Sequence, residues 1–70
     1  MNLLSPGERR DFIEARLHVD WGWAKWEKGA GKSIRQIAEL IGRAFPDSKA
    51  PSHMTVQRDI EWLKEDALGR

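Results

Sequence analysis

The sequence predicts an all-α fold, a single small domain of three helices, or of four if the first predicted helix is broken. Residues 34–45 and 52–66 repeat apolar residues at spacings of three and four, as one face of a helix requires. A serine precedes each predicted helix, and serine is a preferred N-cap residue. No stretch shows a convincing strand pattern. Since 70 residues allow one compact core, residues 1–70 are taken as a single domain.

Composition excludes several classes of protein. Hydrophobic residues make up 40% of the chain and charged residues 33%, which is typical of a globular domain rather than a disordered tail. The absence of cysteine excludes disulfides and cysteine-based zinc fingers. The first ten residues lack the apolar run of a signal peptide or membrane span, which favours a cytoplasmic protein with no membrane contact.

No catalytic or metal site can be assembled from the residue pattern. His18 and His53 lack the spacing of metal ligands and have no cysteine partners. Glu61, Glu65 and Asp66 are better explained as a solvated helix face than as an acid–base pair. We therefore expect no enzymatic activity, no cofactor and no bound metal.

The first predicted helix spans about residues 6–28. Ser5 is its predicted N-cap, Pro6 takes the first helical position, Glu8 completes a capping box, and Gly29 ends the helix. Apolar residues fall on two sides of such a helix, and only one side can face the core. One side carries Ile13, Leu17, Trp21 and Ala24, and the other carries Phe12, Val19, Trp23 and Trp26.

That second apolar side requires either a partner or a different backbone path. A continuous helix would present it as a homodimer interface. A break near Asp20 and Gly22 would instead change the direction of the chain, so that the second half forms a separate short helix. Core packing is the favoured interpretation of the tryptophan-rich stretch WGWAKW, with dimerisation as the main alternative.

Residues 28–33, KGAGKS, end like a phosphate-binding P-loop but do not match that motif. The motif requires glycine where Trp26 stands, and it follows a strand, whereas a helix pattern precedes this stretch. We predict a connector in which Ser33 caps the next helix, with Gln36 as its capping-box partner. Lys32 and the free N–H groups at that helix start can contact a phosphate group.

The last predicted helix combines a buried face with a polar beginning. Pro46 ends the helix of residues 34–45, and a loop of residues 46–51 leads to the N-cap Ser52. Val56, Ile60 and Leu63 share the face that packs on the core. The first turns carry side chains that mostly lie off this face and suit phosphates and base edges. They are His53, Met54, Thr55, Gln57 and Arg58.

Positive charge is concentrated around these two helices. Residues 28–58 hold six basic and two acidic groups, a net charge of +4. Residues 1–27 carry four basic and five acidic groups, a net of −1, and residues 59–70 carry two and four, a net of −2. This distribution of charge would favour binding to a phosphate backbone, because contact between cations and phosphates releases counterions.

The segments SIRQIAELIG and SHMTVQRDIEWLKE resemble the helix-turn-helix of DeoR-type bacterial transcription regulators and their winged-helix relatives. The resemblance implies that Ser52 caps a recognition helix, that Thr55 and Arg58 contact phosphates or base edges, and that His53 and Gln57 are the more variable readers. Two features differ from that family. Nine residues separate Gly42 from Ser52, where the family has one or two, and no β-hairpin wing is evident.

These observations predict a small DNA-binding protein, a transcriptional regulator that binds double-stranded DNA as a homodimer. The alternative is a helical adaptor or inhibitor, as small phage or mobile-element proteins can be, that binds a protein partner through Phe12, Val19, Trp23 and Trp26. The predicted DNA-binding residues are Lys32, Arg35, Arg43, Lys49, Ser52, His53, Thr55, Gln57 and Arg58.

Overall fold

The computed structural model describes residues 2–69 and contains three helices and one pair of two-residue strands. The elements are β1 (Asn2–Leu3), α1 (Pro6–Leu17), α2 (Ile34–Ala44), β2 (Ser48–Lys49) and α3 (His53–Leu68). The all-α class is confirmed. The strand pair was not predicted, because two residues are too few to show an alternating pattern. β1 pairs in parallel with β2, Asn2 opposite Ser48 and Leu3 opposite Lys49, and so ties the N-terminus to the segment before α3.

The three predicted serine caps are confirmed. Ser5, Ser33 and Ser52 each accept a hydrogen bond at 3.2 Å from the backbone N–H three residues later. The capping box is complete at Ser33, whose backbone N–H donates to the Gln36 side chain at 2.8 Å. At Ser5 the Glu8 carboxylate accepts from the serine hydroxyl rather than from the backbone N–H, at 3.2 Å. Each helix therefore begins where its local sequence directs it.

The prediction of a helix to residue 28 is wrong, because α1 ends at Leu17. Residues 18–33 form a folded connector without helix, so the alternative of a separate short helix is wrong as well. Gly22, Lys25 and Gly29 have φ angles of 76°, 56° and 52°. These left-handed conformations are incompatible with a continuous right-handed helix, and glycine adopts them without steric cost.

Hydrogen bonds and tryptophan packing hold this connector against the helices. The backbone N–H of Trp21 donates to the Arg16 carbonyl, and the backbone N–H of Trp23 donates to the Leu17 carbonyl, both at 2.9 Å. The Trp23 indole N–H donates to the Lys32 carbonyl, also at 2.9 Å. Both tryptophans are buried, so core packing is confirmed for these two members of the WGWAKW stretch.

The predicted second apolar side does not exist as one face of a helix. Trp23 belongs to the core, and Phe12 is half-buried, with its ring 5.1 Å from that of Phe45 in an edge-on contact. Trp26 is half-buried, and its ring lies edge-on to His18 at 5.3 Å. Val19 is 82% exposed. The four residues lie in different environments because three of them belong to the connector and not to α1.

The core lies between the three helices and the connector. α1 and α2 each pack on α3, which therefore presents one apolar face to both. Among the described residues, no helix combines the length and apolar character needed to cross a membrane. The fully buried aliphatic side chains of the three helices are Ile13, Leu17, Ile37, Ile41 and Val56.

Candidate functional site

The first two turns of α3 present polar side chains to solvent. Val56, which is fully buried, defines the inner face of the helix. Gln57 follows it by about 100° around the helix axis and lies on the flank of the helix, whereas Arg58 follows it by about 200° and projects away from the core. Both are exposed, as is His53 at the first helical position. The structure thus confirms that these three side chains are accessible at the beginning of one helix.

Two side-chain hydroxyl groups cap the N-terminus of α3. Ser52 Oγ accepts from the Thr55 backbone N–H, and the two hydroxyls hydrogen-bond to each other at 3.1 Å. Thr55 is half-buried, unlike the other predicted DNA-binding residues, which are exposed or at a helix cap. Ser52 and Thr55 therefore have a structural role that competes with direct base reading.

Some of the predicted DNA-binding residues line a groove next to the start of α3. Lys49, Ser52 and Thr55 line it together with Arg9 and Leu4, and its volume is about 560 Å³. Gln57 lies on the other side of α3, where it lines a smaller groove of about 220 Å³ with Trp26. The predicted residues of this region therefore lie on both flanks of α3 and are not gathered in one pocket. Such a distribution is expected for contacts along an extended ligand.

The remaining predicted cations are exposed at the ends of α2. Lys32 precedes that helix, Arg35 lies in its first turn and Arg43 in its last turn. The two arginines are eight positions apart on the helix, which corresponds to about 12 Å along the axis. This distance lies within the reach of neighbouring phosphates on one duplex, so contact with both ends of α2 is sterically reasonable.

Charge changes sign along α3. Arg58 is in the first half and exposed, whereas Glu61 and Glu65 are exposed in the second half. Lys64 is the basic exception in that second half. A polyanion is therefore attracted to the beginning of α3 and repelled from most of its end.

Asp59 is the residue of this region that sequence reasoning missed. It is 1% exposed, and its carboxylate accepts hydrogen bonds from two consecutive arginines of α1. Arg9 donates to it through both Nε and Nη2, and Arg10 donates through Nε at 3.2 Å. The signal in the sequence was an acidic residue between the core positions Val56 and Ile60, together with the Arg9–Arg10 pair.

These ion pairs fix the orientation of α3 relative to α1. Arg9 also donates from Nη1 to the Leu4 carbonyl at 3.2 Å, so one guanidinium joins the N-terminal segment, α1 and α3. Bidentate pairing with a carboxylate is strongly directional. The residue adjacent to Asp59, Arg58, therefore projects to solvent from a helix whose rotation about its own axis is restrained.

Comparison with protein-family models, with curated proteins and with solved structures found no match. Function must therefore be inferred from the chain's own residues. Within residues 2–69, no group of three His, Asp or Glu side chains comes together that could hold a metal ion.

Proposed function

We propose that the protein binds double-stranded DNA by inserting the first two turns of α3 into the major groove. The observation that carries this proposal is the exposure of His53, Gln57 and Arg58 in the first two turns of a helix whose apolar side chains Val56, Ile60 and Leu63 are buried. The major groove is wide enough for an α-helix. Arginine pairs with guanine and glutamine with adenine through two hydrogen bonds each, so these residues have the chemistry needed to distinguish base pairs.

The surrounding cations support the same orientation. Lys32, Arg35, Arg43 and Lys49 are exposed around α2 and in the segment before α3, where they would contact phosphates on either side of the groove. Phosphate contacts position a protein on the duplex, and base contacts give it specificity. The acidic second half of α3 favours contact through its first half.

Regulation of transcription by a homodimer is the biological role we propose for this activity. A single short helix contacts only a few base pairs, and the exposed cations give one chain modest affinity at physiological salt. Two copies on adjacent half-sites would multiply both affinity and specificity, as in other proteins that read DNA with one helix. Burial of Trp23 in the core removes one of the four residues on which the adaptor alternative depended.

A salt series with labelled random-sequence duplex tests DNA binding directly. Fluorescence anisotropy between about 50 and 200 mM salt should give micromolar affinity at the low end and a log–log slope of about −4, as expected for roughly four phosphate contacts. Arg58→Ala should lower affinity for a selected site by about fivefold to 150-fold, because an arginine that pairs with a base contributes roughly 1–3 kcal/mol of discrimination.

The matched control is Lys64→Ala, which removes an exposed cation from the second half of the same helix. It should change affinity far less than Arg58→Ala, and circular dichroism should show both variants folded. Absence of binding at 50 mM salt, or equal losses for the two variants, would contradict the proposed orientation.

A further inference from the structure

Met54 is an apolar residue within the otherwise polar beginning of α3. It is 56% exposed, whereas methionine is among the residue types most often fully buried in proteins. The other large exposed hydrophobic residues of the described chain lie elsewhere. Val19 is in the connector, Leu68 ends α3, and Trp62 has the Arg10 guanidinium 4.2 Å above its ring.

The position of Met54 on α3 places it beside the two side chains proposed to read bases. It lies about 200° from Val56 around the helix axis, on the side opposite the core. Gln57 and Arg58 follow it by three and four residues, which makes all three neighbours on one helical surface. A duplex that contacts Gln57 and Arg58 would therefore also cover Met54.

We propose that Met54 contacts the C5-methyl group of a thymine in the DNA site, and that it selects thymine over cytosine at that base pair. This role depends on the proposed function, since Met54 meets a base only if α3 enters the major groove. The thymine methyl is the apolar group that base pairs present there. Contact between it and the flexible thioether side chain removes apolar surface of both from water.

Deoxyuridine gives a test that changes only the proposed contact, because it lacks the thymine methyl and keeps every hydrogen-bonding group. The preferred duplex is first selected from a random library with the wild-type protein, and each thymine is then replaced singly by deoxyuridine. One position should lose affinity by about fourfold, the effect expected for exposing one methyl group. At that position Met54→Ala should bind the thymine and deoxyuridine duplexes equally.

Two further variants make this result specific. Met54→Leu keeps an apolar side chain of similar volume and should retain sensitivity to deoxyuridine. Leu68→Ala removes an exposed apolar residue from the far end of α3 and should retain the full wild-type preference. The comparison of duplexes with the wild-type protein needs no variant, so a folding defect in Met54→Ala cannot obscure it.

The outcomes separate this inference from the proposed function. Absence of any selected duplex and of binding at low salt would overturn both. Selective binding that no single deoxyuridine weakens, a selected site without a recurrent thymine, or an unchanged penalty in Met54→Ala would overturn the role of Met54 and leave DNA binding intact.

Discussion

At the scale of single residues, Asp59 is the charged group that the fold buries within the part of the chain that the structure describes. Its carboxylate is almost fully removed from solvent, and such a burial is tolerated only when the charge is paired and hydrogen-bonded. Arg9 and Arg10 supply three donors between them. These ion pairs with Asp59 keep α1 and α3 in a defined relative orientation, and thereby set the direction in which Arg58 projects.

Replacement of Asp59 should therefore destabilise the fold. Asp59→Asn keeps the shape of the side chain but removes the charge, which leaves the two guanidinium groups without their partner. We expect a loss of about 3 kcal/mol in the free energy of unfolding, the lower end of the range for breaking a buried ion pair, because both arginines retain some solvent contact.

Urea unfolding followed by tryptophan fluorescence measures this loss. Glu61→Gln is the matched control, since it neutralises an exposed carboxylate two residues later on the same helix and should change stability by about 0.5 kcal/mol or less. Equal stability of Asp59→Asn and wild type would mean that apolar packing alone orients α3.

At the scale of elements, the connector of residues 18–33 decides how α1 and α2 are joined. Its backbone folds back on itself so closely that Gly31 packs against the Trp21–Gly22 peptide. A Cβ atom added at Gly31 would lie 2.6 Å from the Trp21 carbonyl oxygen and 2.8 Å from the carbonyl carbon and oxygen of Gly22. These contacts are with backbone atoms, so a side-chain rotation cannot relieve them.

Gly31→Ala should consequently lower the free energy of unfolding by about 2 kcal/mol, as overpacking of a close backbone contact does. Gly7→Ala provides the comparison, because nothing lies within 4 Å of the added atom and the residue is in α1. That variant should be neutral or more stable by up to about 1 kcal/mol, since alanine favours helix. Denaturant unfolding should show that the two substitutions change the free energy of unfolding in opposite directions, or that Gly31→Ala lowers it clearly and Gly7→Ala does not. Similar changes for the two variants would contradict the close approach of Gly31 to the Trp21–Gly22 peptide.

At the scale of the whole molecule, the distribution of charge favours one side for a polyanion. The net charge is only +1, yet exposed cations surround α2 and the beginning of α3, and exposed carboxylates occupy the end of α3. A duplex in contact with the basic region buries only a short helix from one chain. If the protein binds DNA as proposed, strong and specific binding would therefore require a second copy on the same duplex.

We expect two chains to bind one duplex cooperatively, with half-sites about one helical turn apart. Sedimentation velocity of the complex should show two chains per duplex. Insertion of ~5 base pairs between the half-sites should abolish cooperativity, because half a helical turn moves the sites to opposite faces, whereas ~10 base pairs should restore the shared face. Full affinity of a single chain for one half-site would exclude the dimer.

Prediction from sequence succeeded where the deciding residues lie close together in the chain. Ser33 and Gln36 form their capping box across three positions, and the amphipathic spacing of α2 and α3 repeats every three or four. The exposure of Gln57 and Arg58 followed from the same periodicity. The helix of residues 6–28 failed because helical periodicity continued past Leu17, while Gly22 and Gly29 permitted a left-handed backbone that tertiary contacts then stabilised.

The sequence by itself determined the all-α class, the helix starts and the polar beginning of α3, because each depends on hydrogen bonds or spacing within one turn of helix. Tertiary structure alone decided the path of the connector, which tryptophans of the WGWAKW stretch are fully buried, and the pairing of Asp59 with two arginines 49 and 50 residues away. Those features depend on contacts between distant segments, which local propensity does not encode.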